Sequence, residues 1–221
     1  IGKVKHKREI IIMKKQKGLF VCEIFEDIEG EGKYQGYPTF FIRLAECNLR
    51  CKWCDTKESY AQGRPYDVKL LAKMASDSGC CNISITGGEP LLQKKNVKAL
   101  IKLLRKKCPD KKITVETNGS VSVAGINADN ISMDIKLLSS GMSREMMLSN
   151  LKLLKSKDQV KLVAGSIADL RHAQALLAKN KTKAEIIAQP VFGRIKFSAI
   201  REFILRRCLK WRAMVQLHKM K

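Results

Sequence analysis

Short apolar runs alternate with amphipathic helical periods from residue 39 onward, and this alternation limits the fold more than any other feature of the chain. Thr39–Leu44 reads as a strand. Asp67–Ser78 reads as a helix with Leu70, Leu71 and Met74 on one face. Asn82–Thr86 is a second strand, ending in Gly-Gly. Leu91–Lys107 has helical spacing, with Val97, Leu100, Ile101 and Leu104 inward and lysines outward. Strands at Ile113–Glu116 and Ile131–Ile135 leave little room for a helix between them. Ser143–Leu154 reads as a helix, Gln159–Val163 as a strand, and Ile167–Ala178 as a helix. Glu185–Gln189 is the expected last strand, and Phe197–Leu209 is helical. Strands joined by helical crossovers pair in parallel and are buried on both faces. About six of them, with some helices missing, predict an α/β fold: a partial TIM-type barrel, incomplete rather than closed.

In such folds chemistry gathers at the C-terminal ends of the strands. Cys47 follows the first strand, Gly87-Gly88-Glu89 the second and Asn118 the third. Asp134–Lys136 lies at the fourth strand and Gln189 at the sixth, so the topology predicts one shared pocket.

The chain has eight cysteines, and no secretion signal core is visible that would make them a disulfide framework. Three of them, Cys47, Cys51 and Cys54, have C-x3-C-x2-C spacing. Structural zinc takes four protein ligands, and no nearby His or Cys supplies a fourth. Three thiolates can instead hold a [4Fe–4S] cluster and leave one iron open. The alternative is a zinc knob completed by distant Cys22 or Cys80. Gly87-Gly88-Glu89-Pro90 would let backbone approach a ligand, with Glu89 offering a carboxylate to an amino group. The plainer reading is a strand-to-helix turn with Pro at the helix start.

Lys plus Arg is 43 against 21 Asp plus Glu, a net charge of +22. That balance suits nucleic acid or small anions, or is a solvated lysine surface. Only Lys3–Lys17 looks like a basic arm, so residues 1–18 read as an N-terminal extension and 19–221 as one domain. Apolar runs such as Ile10–Met13 are too short to span a bilayer, and the expectation is a cytoplasmic protein without membrane contact.

The cysteine spacing is the signature of the radical S-adenosylmethionine (SAM) superfamily. Ile28-Glu29-Gly30-Glu31-Gly32, Pro38–Leu44 and Cys54-Asp55-Thr56 narrow the likeness. With Thr86–Pro90, Glu116–Gly119 and Gln216–Lys219, they resemble the 7-carboxy-7-deazaguanine synthases from about residue 19 to the end. The resemblance implies conversion of 6-carboxy-5,6,7,8-tetrahydropterin to 7-carboxy-7-deazaguanine with loss of ammonia, feeding the queuosine or archaeosine of transfer RNA. It also implies a [4Fe–4S] cluster, SAM, Mg²⁺, an electron donor such as flavodoxin or ferredoxin, and a homodimer. Nucleic acid is not required.

Carried over residue by residue, the resemblance makes Cys47, Cys51 and Cys54 the cluster ligands and Thr56 the Mg²⁺ ligand. Trp53, Cys54, Asp55, Gly88, Glu89, Glu116, Asn118, Asp134, Lys136 and Gln189 fall on the SAM side. Ile28, Glu29, Gly30, Arg43, Thr86 and His218 fall on the substrate side. No side chain is assigned as catalytic, because the radical belongs to the cofactor. Arg43 could clamp the substrate carboxylate with its planar fork. Each of these residues has a plainer role: Arg43 as a surface arginine, Glu29 and Glu31 as a solvated loop, Asp55 or Thr56 as a helix cap, Gln189 as a strand terminator. Glu29 departs from the family's usual Gln, exchanging a donor–acceptor amide for a carboxylate. Asp134-Ile135 stands where the family has Ser-Pro, and Lys136 is kept; Asp134 could hydrogen-bond ribose hydroxyls.

Two other functions compete. An activating enzyme that makes a glycyl radical on a partner protein would share the cysteine and glycine motifs, but has no need of Arg43, Thr56 and the terminal Gln-x-His-Lys together. A nucleic-acid-binding metalloprotein would explain +22, but aromatics are only 6 %, too few to interleave with the cations.

Overall fold

A computed structural model describes Gly18–Met220. Nine strands make one sheet: β1 (Gly18–Ile28), β2 (Pro38–Leu44), β3 (Arg64–Asp67), β4 (Asn82–Gly87), β5 (Lys112–Thr117), β6 (Asn130–Ile135), β7 (Gln159–Ala164), β8 (Glu185–Pro190) and β9 (Trp211–Ala213). The helices are α1 (Val68–Asp77), α2 (Lys94–Lys107), α3 (Ile167–Lys179) and α4 (Phe197–Arg206). The order across the sheet is β3-β1-β2-β4-β5-β6-β7-β8-β9, so it is open, with β3 and β9 at its edges. From β2 to β9 every pairing is parallel. β1 runs antiparallel to both β2 and β3.

All six expected strands are present. β9 adds a seventh parallel strand, so Glu185–Pro190 is not the last. β1 and β3 extend the other edge. The anticipated basic extension, apart from Gly18, lies outside the described residues.

The expected helix at Ser143–Leu154 is instead two separate 3₁₀ turns, Ser143–Glu145 and Leu148–Lys152. The cause is the buried Asn150. Its Oδ1 accepts from Val123 N and its Nδ2 donates to the Val121 carbonyl, which holds the segment against the loop after β5. Tertiary hydrogen bonds override the apolar spacing. In α1 the buried face is Val68, Leu71, Ala72 and Ala75, while Leu70 is exposed. Asp67 starts that helix by accepting from Lys69 N and Leu70 N. The α2 face of Val97, Leu100, Ile101 and Leu104 is buried as read.

The sheet is not apolar on both faces. Ile42, Ile83, Ile85, Ile113, Val115, Val160 and Leu162 share one fully buried core with Leu71, Leu100, Leu104, Leu170 and Ile200 of the helices. Each such side chain contributes about 1.5–3 kcal/mol. The alternate positions carry polar groups. Arg43 pairs with Thr86 across β2 and β4, Glu116 with Ser132 across β5 and β6, and Asp134 with Lys161 across β6 and β7. A period of two thus separates an oily outer face from a charged inner one.

Candidate active site

The inner face and the loops at the C-terminal strand ends enclose a cavity of about 640 Å³. The cysteine loop leaves β2 through Glu46, whose φ of 70° is left-handed. That strained residue is over-determined: its N–H donates to the Ser59 carbonyl at 2.7 Å, and its carbonyl accepts from Glu89 N at 2.8 Å. Arg50 folds back to donate to the Cys47 carbonyl at 2.6 Å and the Leu49 carbonyl at 2.8 Å. Its guanidinium lies 4.3 Å from the Tyr60 ring centre. Cys47, Cys51 and Cys54 all line the cavity. Burial raises the Cys51 thiol above its ordinary range, with the Lys136 charge pulling it down.

The glycine motif has a different first job from the one expected. A Cβ on Gly87 would sit 2.1 Å from the Leu44 carbonyl oxygen, and one on Gly88 2.0 Å from the Glu46 carbonyl oxygen. The two glycines let the β4 end dock on the cysteine loop, with Gly88 N donating to the Leu44 carbonyl at 3.0 Å. Gly88 also lines the cavity. Glu89 does not. It is fully buried, and its carboxylate accepts from Leu91 N at 2.8 Å, Thr117 Oγ1 at 2.8 Å and Asn118 N at 2.6 Å. In this structure it fastens the β4 turn to the end of β5. Gln189 is also fully buried, lies outside the cavity lining and donates to Glu31 Oε2 at 2.8 Å.

Charged groups form the inner wall. Lys161 Nζ is 2.9 Å from both Glu31 Oε2 and Glu116 Oε2 and 3.7 Å from Asp134 Oδ1. Burial opposes its charge, but Glu116, Glu31 and Asp134 hold it well above the ordinary lysine range. Burial also pushes Glu31 up. The Lys161 charge and hydrogen bonds from Lys161, Gln189 and Gln216 outweigh that and bring it down to about 2. Lys136 pairs with Asp134 and lies 5.5 Å from the Trp53 ring centre. Neither Glu29 nor Glu31 belongs to a solvated loop, since Glu29 is 7 % exposed and Glu31 is tied to three donors.

The segment after β9 forms one side of the cavity mouth. Leu217 N donates to the Gly30 carbonyl at 3.0 Å, and Gln216 Nε2 to Glu31 Oε1 at 2.6 Å. Lys219 Nζ meets Asp55 Oδ2 at 2.7 Å, with His218 Nε2 at 3.7 Å from the same atom. These two contacts, the polar His218 ring first and Lys219 second, outweigh burial and hold the Asp55 carboxyl well below the usual range.

Ile28, Glu29, Gly30, Arg43, Thr86 and His218 all line this one cavity. So do Trp53, Asp55, Thr56, Glu116, Asn118, Asp134 and Lys136. Arg43 gives its Nε to Glu23 at 3.0 Å and lies 5.3 Å from the Phe25 ring centre. Thr56 precedes the 3₁₀ turn Lys57–Tyr60 without capping it; its Oγ1 donates to Asp55 Oδ1 at 3.2 Å. Asn118 Nδ2 is 3.7 Å from Cys47 Sγ. Lys219 of the terminal motif lines the cavity too, as do Lys161, Tyr60, Phe192 and Arg194, which were not singled out from the sequence.

Among the described residues, no three His, Cys, Asp or Glu side chains converge on a point the size of one metal ion. Cys22 and Cys80 do not line the cavity, so neither completes a zinc site with the three thiols. Three thiols around a wider opening, beside room for a small ligand, fit a [4Fe–4S] cluster with an open iron and SAM.

An open, mostly parallel barrel with three thiols at the end of its first parallel strand defines a class, and the Radical SAM superfamily profile matches residues 42–163. A 7-carboxy-7-deazaguanine synthase of Methanospirillum hungatei is 42 % identical over 91 % of this chain and 85 % of its own. One of Clostridium acetobutylicum is 36 % identical over 90 % and 94 %. The crystal structure of QueE from Escherichia coli shares the fold with a TM-score of 0.76, at 24 % identity, covering 91 % of this chain and 95 % of that one. Within the superfamily, the chain belongs to the 7-carboxy-7-deazaguanine synthase family.

Proposed function

We propose that this chain converts 6-carboxy-5,6,7,8-tetrahydropterin to 7-carboxy-7-deazaguanine with release of ammonia. The observation that carries the reading is one cavity that joins the cysteine loop, Arg43, the Glu29–Glu31 loop and the terminal Gln216–Lys219 segment. Cys47, Cys51 and Cys54 would hold the cluster, which with SAM would supply the radical chemistry of the reaction.

The chain's own residues bind, orient and exclude water. Arg43 keeps its two terminal amino groups for the substrate carboxylate, since Glu23 takes only Nε. Asp134, paired with Lys136 on the inner wall, and Trp53, Cys54 and Asp55 of the cysteine loop would hold SAM, with the Asp134 carboxylate available to hydroxyl groups. Thr56 Oγ1 keeps its lone pairs for Mg²⁺, a hard cation that takes few protein ligands and several substrate or water oxygens. The Gln216–Lys219 turn borders the mouth and is tied to the cysteine loop through Lys219 and Asp55.

We assign residues 19–221 to one radical SAM domain that works as a homodimer in the cytoplasm, with flavodoxin or ferredoxin as electron donor. The product feeds deazapurine bases of transfer RNA. No helix among the described residues is long and apolar enough to cross a membrane. A glycyl-radical activating role is not favoured, since the relatives that match most of the chain are 7-carboxy-7-deazaguanine synthases.

The test is anaerobic reconstitution with iron and sulfide, then reaction with 6-carboxytetrahydropterin, SAM, Mg²⁺ and reductant. Formation of 7-carboxy-7-deazaguanine is the expected result. Cleavage of SAM without that product would overturn the substrate assignment.

A further inference from the structure

Glu29 is a buried acid of the cavity that forms no ion pair among the described residues. It lines the cavity and is 7 % exposed. Its one side-chain hydrogen bond among the described residues comes from Glu31 N to Oε1, at 3.2 Å. The groups facing it are Glu116 from β5, Lys161 from β7, Glu31 in its own loop and His218 from the C-terminal turn. On the other side, Lys33 and Tyr34 border a small polar recess with it, but Lys33 Nζ is turned to the Lys157 carbonyl. Lys161 gives its contacts to Glu31, Glu116 and Asp134, and Lys136 gives its contact to Asp134.

Among the cavity-lining groups, Glu29, Glu31, Glu116 and Asp134 gather around the two ammonium groups Lys136 and Lys161, while the Arg43 guanidinium on the same face is paired with Glu23. Like charges in a low-dielectric wall are relieved by taking up a proton. The proton belongs on the acid without a cation. We propose that Glu29 meets the substrate as an uncharged carboxylic acid, donating one hydrogen bond to, and accepting one from, a heterocycle edge where a carbonyl adjoins an N–H. This rests on the pterin assignment made above.

A neutral acid does here what a carboxamide would do, because both present a donor beside an acceptor. It also adds no negative charge next to an anionic substrate. Burial first, and the Glu116 charge second, push the Glu29 carboxyl up to about 8. The competent, protonated fraction then falls about tenfold between about pH 7 and about pH 9, and apparent affinity falls by the same factor.

The experiment compares wild type, Glu29→Gln and Glu29→Ala, each reconstituted with cluster and SAM. Steady-state KM for 6-carboxytetrahydropterin is measured from about pH 6.5 to about pH 9.5. The expected result is a wild-type KM that rises about tenfold from about pH 7 to about pH 9. The Glu29→Gln KM stays level over that range, and the Glu29→Ala KM is high throughout. A rise shared equally by wild type and Glu29→Gln would overturn the proposal, because another group would then be titrating.

A second readout needs no turnover. The infrared carbonyl stretch of a protonated carboxyl should be present in wild type near neutral pH, vanish by about pH 9.5, and be missing in Glu29→Gln. Its absence from wild type near neutral pH also overturns the proposal. If wild type makes no 7-carboxy-7-deazaguanine at any pH, the substrate assignment fails instead, and the infrared band still decides the protonation of Glu29.

Discussion

Lys219 Nζ lies 2.7 Å from Asp55 Oδ2 and so ties the C-terminal turn to the residue that follows the third cysteine. The contact bridges two segments with no local relation in the sequence. It makes the mouth of the cavity depend on both.

Lys219→Ala should loosen that mouth with little effect on folding. The pair is partly exposed, and such pairs contribute about 0–1 kcal/mol. KM for substrate should rise several-fold while the thermal midpoint of the metal-free protein stays nearly fixed. Steady-state kinetics beside thermal unfolding separates the two. A large drop in the midpoint would contradict this account.

Lys161→Met should destabilise the fold strongly. It strands Glu31, Glu116 and Asp134 around a buried gap, and breaking such a pair costs roughly 3–5 kcal/mol. Urea midpoints measure the loss.

Acid stability follows from Glu31. Its pKa falls from the usual 4.5 to about 2 on folding. The stability it contributes is fully present above about 4.5 and is lost as pH falls through about 2. Glu31→Gln should be less stable at neutral pH and show a flatter decline across that window. Unfolding curves at several acidic pH values check this; an unchanged slope would remove Glu31 from the account.

Glu89→Gln should lower stability already in the metal-free protein. Its carboxylate accepts from Thr117, Asn118 and Leu91, and an amide nitrogen cannot accept those bonds. A cost of about 1–3 kcal/mol in thermal unfolding without cluster or SAM is expected. If the metal-free protein is unaffected and only SAM binding weakens, Glu89 is a cofactor contact after all.

Gly88→Ala should cost cluster content. The new Cβ would stand 2.0 Å from the Glu46 carbonyl oxygen and 3.0 Å from Cys47 Cβ, so the cysteine loop must shift. Iron and sulfide per chain after reconstitution should fall by half or more. Full occupancy would show that the loop yields easily.

The strand ends were legible because each parallel strand is a compact apolar run that stops at a chemically distinct residue. Of the residues that the topology put at strand ends, Cys47, Gly87, Gly88, Asn118, Asp134 and Lys136 line the cavity, whereas Glu89 and Gln189 are buried beside it. β1 was missed because its outer half is partly exposed and carries Glu23, Glu26 and Asp27 among its apolar residues. β9 has only three residues, too short for any period to show. The inner wall was illegible for another reason. Lys161 and Glu31 stand 130 positions apart, and no local pattern announces that a lysine and an acid will meet. Asn150 shows the reverse failure: a helical spacing was plain, and distant carbonyls undid it.

The inward-facing row of ions and the exposed surface lysines respond to different solvents. Added salt shortens the reach of mutual repulsion among surface lysines to about one Debye length, and so favours compactness. It does little to Lys161 and its neighbours, which water hardly reaches. Ionic strength and acidity therefore act as independent dials on this molecule, one for its skin and the other for its lining.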